Sequence, residues 1–416
     1  MIVTELNISN FRGIENLSFV PNPKLNLFMG SNGTGKTSIL KSLSILLSWM
    51  VARIRVQNGK GVLVDLDDIR IGGSGCNLSL KLDTCKEGWN LYRNALGAPN
   101  DNKLKTSLTD MMRYVREVQE QLEVNAPLVI YYPVTRSVLD IPLRVRKHKF
   151  NTLAAYEGAL EESKANFRRF FEWYREREDL ENEEFRKANI KKFPFTGDSQ
   201  LKAVRRALDN FFPQFTDLHI QRNPLAMMLD KNGVSFKINQ LSDGEKCFIA
   251  LVADLSRRLA MANPTMDNPL EGRGIVMIDE VDLHLHPNWQ MMVIPKLMET
   301  FPNCQFFITT HSPQVANHVM AESVFILQSV GNKIYMNRPA FSYGAKPESI
   351  YTALMGLKYT RPERVAQDID ELYKDITDKN LEEAKRKLDK LKTGLPSDPE
   401  LMTAEGLIRR IELIGK

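Results

Sequence analysis

Short apolar runs separated by polar turns lay out the first third of the chain. Residues 2–8 alternate loosely between apolar and polar, which predicts a half-buried strand. A second strand is expected over 17–20, with Pro21-Asn22-Pro23 as the turn that ends it. Leu25-Asn26-Leu27-Phe28-Met29 then reads as a strand, and 38–43 as the opening of a helix. Residues 62–64 and 78–82 are strand-like, with a glycine-rich turn at 72–75. Apolar residues at helical spacing, Leu104 through Met111, Val115, Val118 and Leu122, predict a helix there. Residues 127–133 read as a core strand running into a loop that holds Arg136.

The pattern changes over 141–210. A basic run at 144–149 precedes a charged stretch, 153–187, that predicts one or two long helices. Phe167, Phe170, Phe171, Trp173 and Tyr174 fall within it. Aromatic residues at helical spacing are expected in a core rather than as a platform for bases. A helix follows over 203–215, then strands at 218–222 and 234–238 as a hairpin around Lys231-Asn232-Gly233, since Asn-Gly is a strong turn signal. A helix over 247–261 and strands at 275–278, 305–309, 323–328 and 333–338 complete the sheet. The remainder is helical and amphipathic over 366–373, 381–391 and 399–414. Four segments result: 1–140, a charged helical insertion at 141–210 (a lid or short arm), 211–345, and a helical tail at 346–416 suited to docking a partner.

Composition narrows the class. The 416 residues are 43% hydrophobic and 26% charged, an ordinary globular balance. With 56 basic against 51 acidic residues the net charge is +5, too small for a global field that attracts nucleic acid. DNA contact would need a local patch, and 144–149 is the candidate, although short basic runs are commonly just solvated. Cys76, Cys85, Cys247 and Cys304 lack metal-ligand spacing and read as reduced thiols of a cytoplasmic protein. The apolar stretch 39–52 is broken by Lys41, so no membrane span is expected.

The chemistry concentrates in Gly30-Ser31-Asn32-Gly33-Thr34-Gly35-Lys36-Thr37, a glycine-rich loop between strand and helix. That is the context of a phosphate-binding P-loop. Gly30, Gly33 and Gly35 let the backbone curl so that N–H groups of Asn32, Gly33, Thr34, Gly35 and Ser38 face phosphate oxygens. The helix that follows adds its free N–H groups. Lys36 reaches the β- and γ-phosphates, and the Thr37 hydroxyl ligates Mg²⁺. Downstream, Ile275-Val276-Met277-Ile278-Asp279-Glu280 is an apolar strand ending in adjacent carboxylates, costly to bury unless they meet a cation or do chemistry. Asp279 is expected to hold Mg²⁺ and Glu280 to deprotonate the attacking water. His311 stands at the end of another apolar strand, where ligand sites of parallel sheets lie.

Taken with Asn10-Phe11-Arg12-Gly13, Leu241-Ser242-Asp243-Gly244-Glu245 and His284-Leu285-His286-Pro287, these motifs resemble the RecF, SMC and OLD group of ABC-type ATPases. The resemblance covers about 1–140 and 200–340. It implies an α/β P-loop NTPase: an ABC-type ATPase head with a mixed sheet around a parallel core, a helical lobe and a C-terminal helical appendix. It implies that Arg12 contacts bound ATP, that His311 senses the γ-phosphate, and that Ser242, Gly244 and Glu245 grip the nucleotide of a second subunit. A homodimer is then the minimal active unit. No glutamine stands where the family's Q-loop residue belongs, and Asp243 replaces a glycine common in the signature. His284 and His286 lack a nearby third metal ligand, and a dimer-contact loop is the alternative. No acidic Toprim-like cluster follows His311, unlike OLD nucleases. The chain most resembles the ATPase subunit of Septu-type anti-phage systems, also found beside retrons, which implies a separate HNH nuclease as partner. The alternative is a DNA-repair or chromosome-maintenance ATPase that clamps DNA, and a third is a nucleotide-binding module with negligible turnover.

Overall fold

The computed structural model describes residues 1–97, 105–120, 125–134, 151–160 and 167–414. Arg136 and the basic run at 144–149 lie outside the described residues. Along the chain come β1 (Val3–Phe11), β2 (Ile14–Phe19), β3 (Leu25–Met29), α1 (Lys36–Arg55), β4 (Gly75–Leu82), β5 (Trp89–Asn94), α2 (Thr109–Glu120) and β6 (Leu128–Tyr132). Next are α3 (Phe167–Lys191), α4 (Ser199–Phe211), β7 (Phe215–Arg222), β8 (Leu225–Lys231), β9 (Val234–Lys237), α5 (Asp243–Ala262) and β10 (Gly274–Ile278). The order closes with α6 (Pro287–Thr300), β11 (Cys304–Thr309), α7 (Pro313–Ala316), β12 (Val324–Val330), β13 (Lys333–Asn337), the single turn α8 (Pro347–Ser349), α9 (Glu363–Thr377), α10 (Leu381–Gly394) and α11 (Pro399–Ile414).

A six-stranded sheet in the order β13-β12-β3-β11-β10-β6 organises the first unit, Met1–Ile350. Its five strands from β12 to β6 are parallel, and only β13 runs against its neighbour. Every residue of β3, β6, β10 and β11 is buried, as expected for parallel strands covered on both faces. The antiparallel sheet β2-β1-β4-β5 lies across α1, which touches β1 and β4 on one side and β6, β10 and β11 on the other. That position explains why α1 is apolar nearly all round. By length and composition it could span a bilayer, yet it is mostly buried in this core, with Leu43, Leu46, Leu47 and Met50 fully enclosed.

Three elements differ from the sequence pattern. Residues 62–64 form no strand: in the loop after α1, Val62 and Leu63 are exposed and Val64 is buried. β5 was hidden by its polar content, Asn90, Arg93 and Asn94, which edge pairing with β4 tolerates. The Asn232-Gly233 turn joins β8 to β9, while β7 pairs with β8, so 218–222 and 234–238 are not hairpin partners. The intervening run Leu225-Ala226-Met227-Met228-Leu229 is itself the central strand of that sheet.

In α3 the five aromatics at 167–174 are buried, and the Tyr174 hydroxyl donates to the Leu218 carbonyl at 2.6 Å. They form core. Residues Tyr351–Lys416 make a separate unit. There α9, α10 and α11 enclose their own core of Ile369, Leu372, Leu388, Leu401 and Ile408.

Candidate nucleotide site

Register brings the chemistry together. Phe28 of β3 pairs with Thr309 of β11, and Ile308 pairs with Ile278 of β10, so three parallel strands end at one level. The residues just past those ends are Gly30, His311 and Asp279-Glu280, gathered where ligands of parallel sheets bind.

The loop at 30–37 is shaped for close approach by backbone. Gly30 has φ 149°, and a Cβ there would sit 2.3 Å from the Leu327 carbonyl oxygen, so any side chain is excluded. Gly35, at φ 91°, caps the N-terminus of α1 with no side chain over its free N–H groups. Asn32 and Gly33 are exposed, Thr34 is buried and donates to the Ser31 carbonyl at 2.9 Å, and Ser38 is half-buried. Lys36 folds back over its own loop, donating to the carbonyls of Gly30 (2.8 Å) and Ser31 (2.9 Å). Burial lowers its pKa against the pull of Glu280, Asp279 and Asp282. The charges of those three carboxylates thus favour the ammonium that burial opposes.

Thr37 and Asp279 meet directly, hydroxyl to carboxylate Oδ1, at 3.2 Å. The same Oδ1 accepts from the Thr309 hydroxyl at 2.5 Å. Asp279 is 1% exposed, and its Oδ2 has no hydrogen-bond partner among the described residues. A buried carboxylate oxygen left in this condition beside a threonine hydroxyl fits a divalent cation. Glu280 takes a left-handed backbone, φ 46°, and its N–H is held by the Thr309 hydroxyl at 2.7 Å. Such a conformation costs on the order of 1 kcal/mol or more and persists where the surroundings enforce it.

His311 is half-buried beside these groups. Burial and the Lys36 charge lower its pKa, against Asp282, Glu280 and Asp279, so the neutral imidazole is favoured near neutral pH. Asp282 fixes the approach: its Oδ1 accepts from the Thr310 hydroxyl at 2.5 Å and the His311 N–H at 3.3 Å. Sequence reading passed over Thr309, Thr310 and Asp282. The available signal is the Thr309-Thr310 pair of hydroxyls, both 0% exposed, directly after the apolar run 306–308.

Arg12 stands at the β1–β2 turn, itself at φ 49°. Its Nε is 2.7 Å from Asp68 Oδ1, and its N–H donates to the Asp68 carbonyl at 2.7 Å. The turn adjoins the phosphate loop, since a Cβ on Gly35 would lie 3.4 Å from Ile14 Cγ1. Arg12 thus lies beside the loop, engaged by Asp68.

The residues 242–245 open α5, beside the loop that follows Glu280. Ser242 caps α5 in a reciprocal pair with Glu245: the Ser242 N–H donates to Glu245 Oε2 at 2.9 Å and the Glu245 N–H to Ser242 Oγ at 3.3 Å. Lys231 holds Glu245 Oε1 at 2.6 Å. A Cβ on Gly244 would fall 2.2 Å from the His284 carbonyl oxygen, so this helix start packs on the loop after Glu280. Among the described residues no hydrogen bond or ion pair joins 242–245 to 30–38. His286 caps α6 through Nδ1, and His284 lies in the loop at φ 64°.

Fold and site together define a P-loop nucleoside triphosphatase of the α/β class. Residues 105–317 match the family described as "AAA domain, putative AbiEii toxin, Type IV TA system", and 1–71 match "AAA ATPase domain". The chain is 30% identical to "Retron Vc95 probable ATPase" of Vibrio cholerae serotype O1 biovar El Tor, covering 84% of this chain and 78% of that protein. It is 28% identical to "Retron Ec83 probable ATPase" of Escherichia coli, covering 79% and 71%. Identity to "Septu protein PtuA" of Bacillus thuringiensis is 26%, covering 94% and 93%. The chain belongs to this AAA family and is an ATPase related to the retron and Septu proteins.

Proposed function

We propose that the chain binds ATP at residues 30–38 and hydrolyses it as the switch of a defence complex built with a separate HNH-type nuclease. The supporting observation is the convergence of Lys36, Thr37, Asp279, Glu280 and His311 at one end of the parallel sheet. Thr37 and Asp279 are placed to hold Mg²⁺, which when bound neutralises charge on the β- and γ-phosphates. Lys36, released from the Gly30 and Ser31 carbonyls, adds its charge to the γ-phosphate. Glu280, fixed by its strained backbone, orients and deprotonates water, and His311 as neutral imidazole steadies the same water or the γ-phosphate.

Ser242, Gly244 and Glu245 make no hydrogen bond or ion pair with the chain's own phosphate loop among the described residues, and Gly244 packs on the segment that follows Glu280. A second copy, related by two-fold symmetry, would supply them across each ATP. ATP then favours the paired state, hydrolysis releases it, and the client nuclease reads the difference. The charged α3 region and the helical tail are the surfaces proposed for that client. The retron and Septu relatives support this reading. Nucleotide binding by the wild type, lost in Lys36→Ala, with Mg²⁺-dependent phosphate release tests it. Retention of full turnover by Lys36→Ala would overturn it.

A further inference from the structure

A cavity of about 590 Å³ opens between α3, α4 and β7, away from the nucleotide site. Its floor is apolar, with Leu208, Phe212 and Phe215 all buried. Its walls carry Glu178, Asp179, Glu181, Asp209 and Asp217 against only Arg205 and Arg222. Both arginines are already matched. Arg222 spans Glu178 at 2.9 Å and Asp179 at 2.5 Å, and Arg205 holds Glu181 at 2.9 Å. Asp217 pairs with His219, at 3.2 Å, and with no other cation among the described residues. Asp209 is exposed at the lip and makes no hydrogen bond or ion pair among the described residues; partial desolvation raises its pKa against the pull of Arg205. The cavity is thus short of positive charge at its lip and bounded by apolar side chains at its floor.

A second hollow of about 320 Å³ continues from it, sharing Glu181, Asn182 and Arg205. Phe185 and Phe195 line that hollow with rings edge to face at 5.2 Å, and they are 49% and 40% exposed. Ile190, in the last turn of α3, and Phe193, just past its end, are also exposed. Exposed aromatics contiguous with a cavity mark a contact surface rather than scattered surface residues.

We propose that this groove docks a polypeptide segment of a partner protein in which a lysine or arginine lies next to apolar side chains. The long stem of a basic residue covers the apolar floor while its head pairs with Asp209. The adjacent apolar residues occupy the Phe185–Phe195 hollow. Acidic walls repel phosphate, which argues against nucleic acid on this face. The proposal rests on the reading that the ATPase acts through a protein client, and it names where and by what chemistry that client is held.

The test titrates full-length protein with the blocked peptide Leu-Arg-Phe-Leu-Arg-Phe, its acidic twin Leu-Glu-Phe-Leu-Glu-Phe, and spermine, by calorimetry. The basic peptide binds, the other two bind at least tenfold more weakly, and Asp209→Lys weakens the basic peptide at least tenfold while ATP turnover stays at the wild-type rate. Equal binding of the acidic twin, or unchanged affinity in Asp209→Lys, overturns the docking site. Spermine binding as tightly as the peptide overturns the polypeptide assignment in favour of a small polycation. Failure of the wild type to bind the basic peptide, with its turnover intact, refutes the groove alone, whereas absent turnover in wild type refutes the ATPase mechanism.

Discussion

Thr37 Oγ1 and Asp279 Oδ1 lie 3.2 Å apart across 242 residues of chain, which makes one donor set from two motifs. Asp279 Oδ2 is buried and without a hydrogen-bond partner among the described residues. Asp279→Asn keeps the shape and removes the charge that a divalent cation requires. Phosphate release is expected to fall by about 100-fold or more, with the Mg²⁺ dependence shifted to higher concentration. A variant with wild-type turnover at the same Mg²⁺ would show that the cation is held elsewhere.

His311 gives the site a pH signature. Burial and Lys36 lower its pKa from 6.5, so the neutral form that can accept a proton persists somewhat below that value. The acid limb of kcat/KM is expected below pH 6.5, and His311→Gln removes that limb while lowering kcat. Stability follows the same sign: with the folded pKa depressed, the contribution is present above 6.5 and is lost as pH falls through the folded value. A limb at or above 6.5 in the wild type would contradict the assignment.

Asp254 holds α5 to the sheet. Burial alone would raise its carboxyl pKa, but Arg258 and Arg257 outweigh it and hold the group at about 2. The ion pairs measure 2.7 Å to Arg258 and 2.6 Å to Arg257, with all three side chains 2% exposed. Tyr132 donates its hydroxyl to Asp254 at 3.1 Å, and its carbonyl accepts the Asp279 N–H at 2.9 Å. Asp254→Asn leaves two buried guanidiniums without a counter-charge. A loss of about 3–5 kcal/mol is expected in urea unfolding. A change below ~1 kcal/mol would show that the arginines find other partners.

The phosphate loop was legible because its whole chemistry is written in eight consecutive residues. Asp279-Glu280 was legible because a buried strand ending in acids is expensive without a purpose. Thr309, Thr310 and Asp282 were not, because their roles depend on the register between β10 and β11, which no local pattern encodes. The partner of Arg12, Asp68, lies 56 residues away in a loop without periodicity. The Asn-Gly dipeptide marks a turn but not the strands it joins, since the run at 225–229 lacks the alternation that marks a half-buried strand. The helical tail, by contrast, was readable throughout, because each of its helices carries its own apolar stripe.

The central claim, an ATP site completed by a second copy, is tested most directly with Glu280→Gln. Removing the base while keeping the shape should lower turnover by about 100-fold or more and trap the ATP-bound state. Light scattering after gel filtration is then expected to show a dimer, or a larger assembly, with ATP and Mg²⁺ that reverts when nucleotide is removed. Ser242→Arg in the same background, which fills the face proposed to meet the other copy's ATP, should leave the protein folded and abolish that shift. A mass for Glu280→Gln that is identical with and without ATP, or wild-type turnover in that variant, would contradict the account.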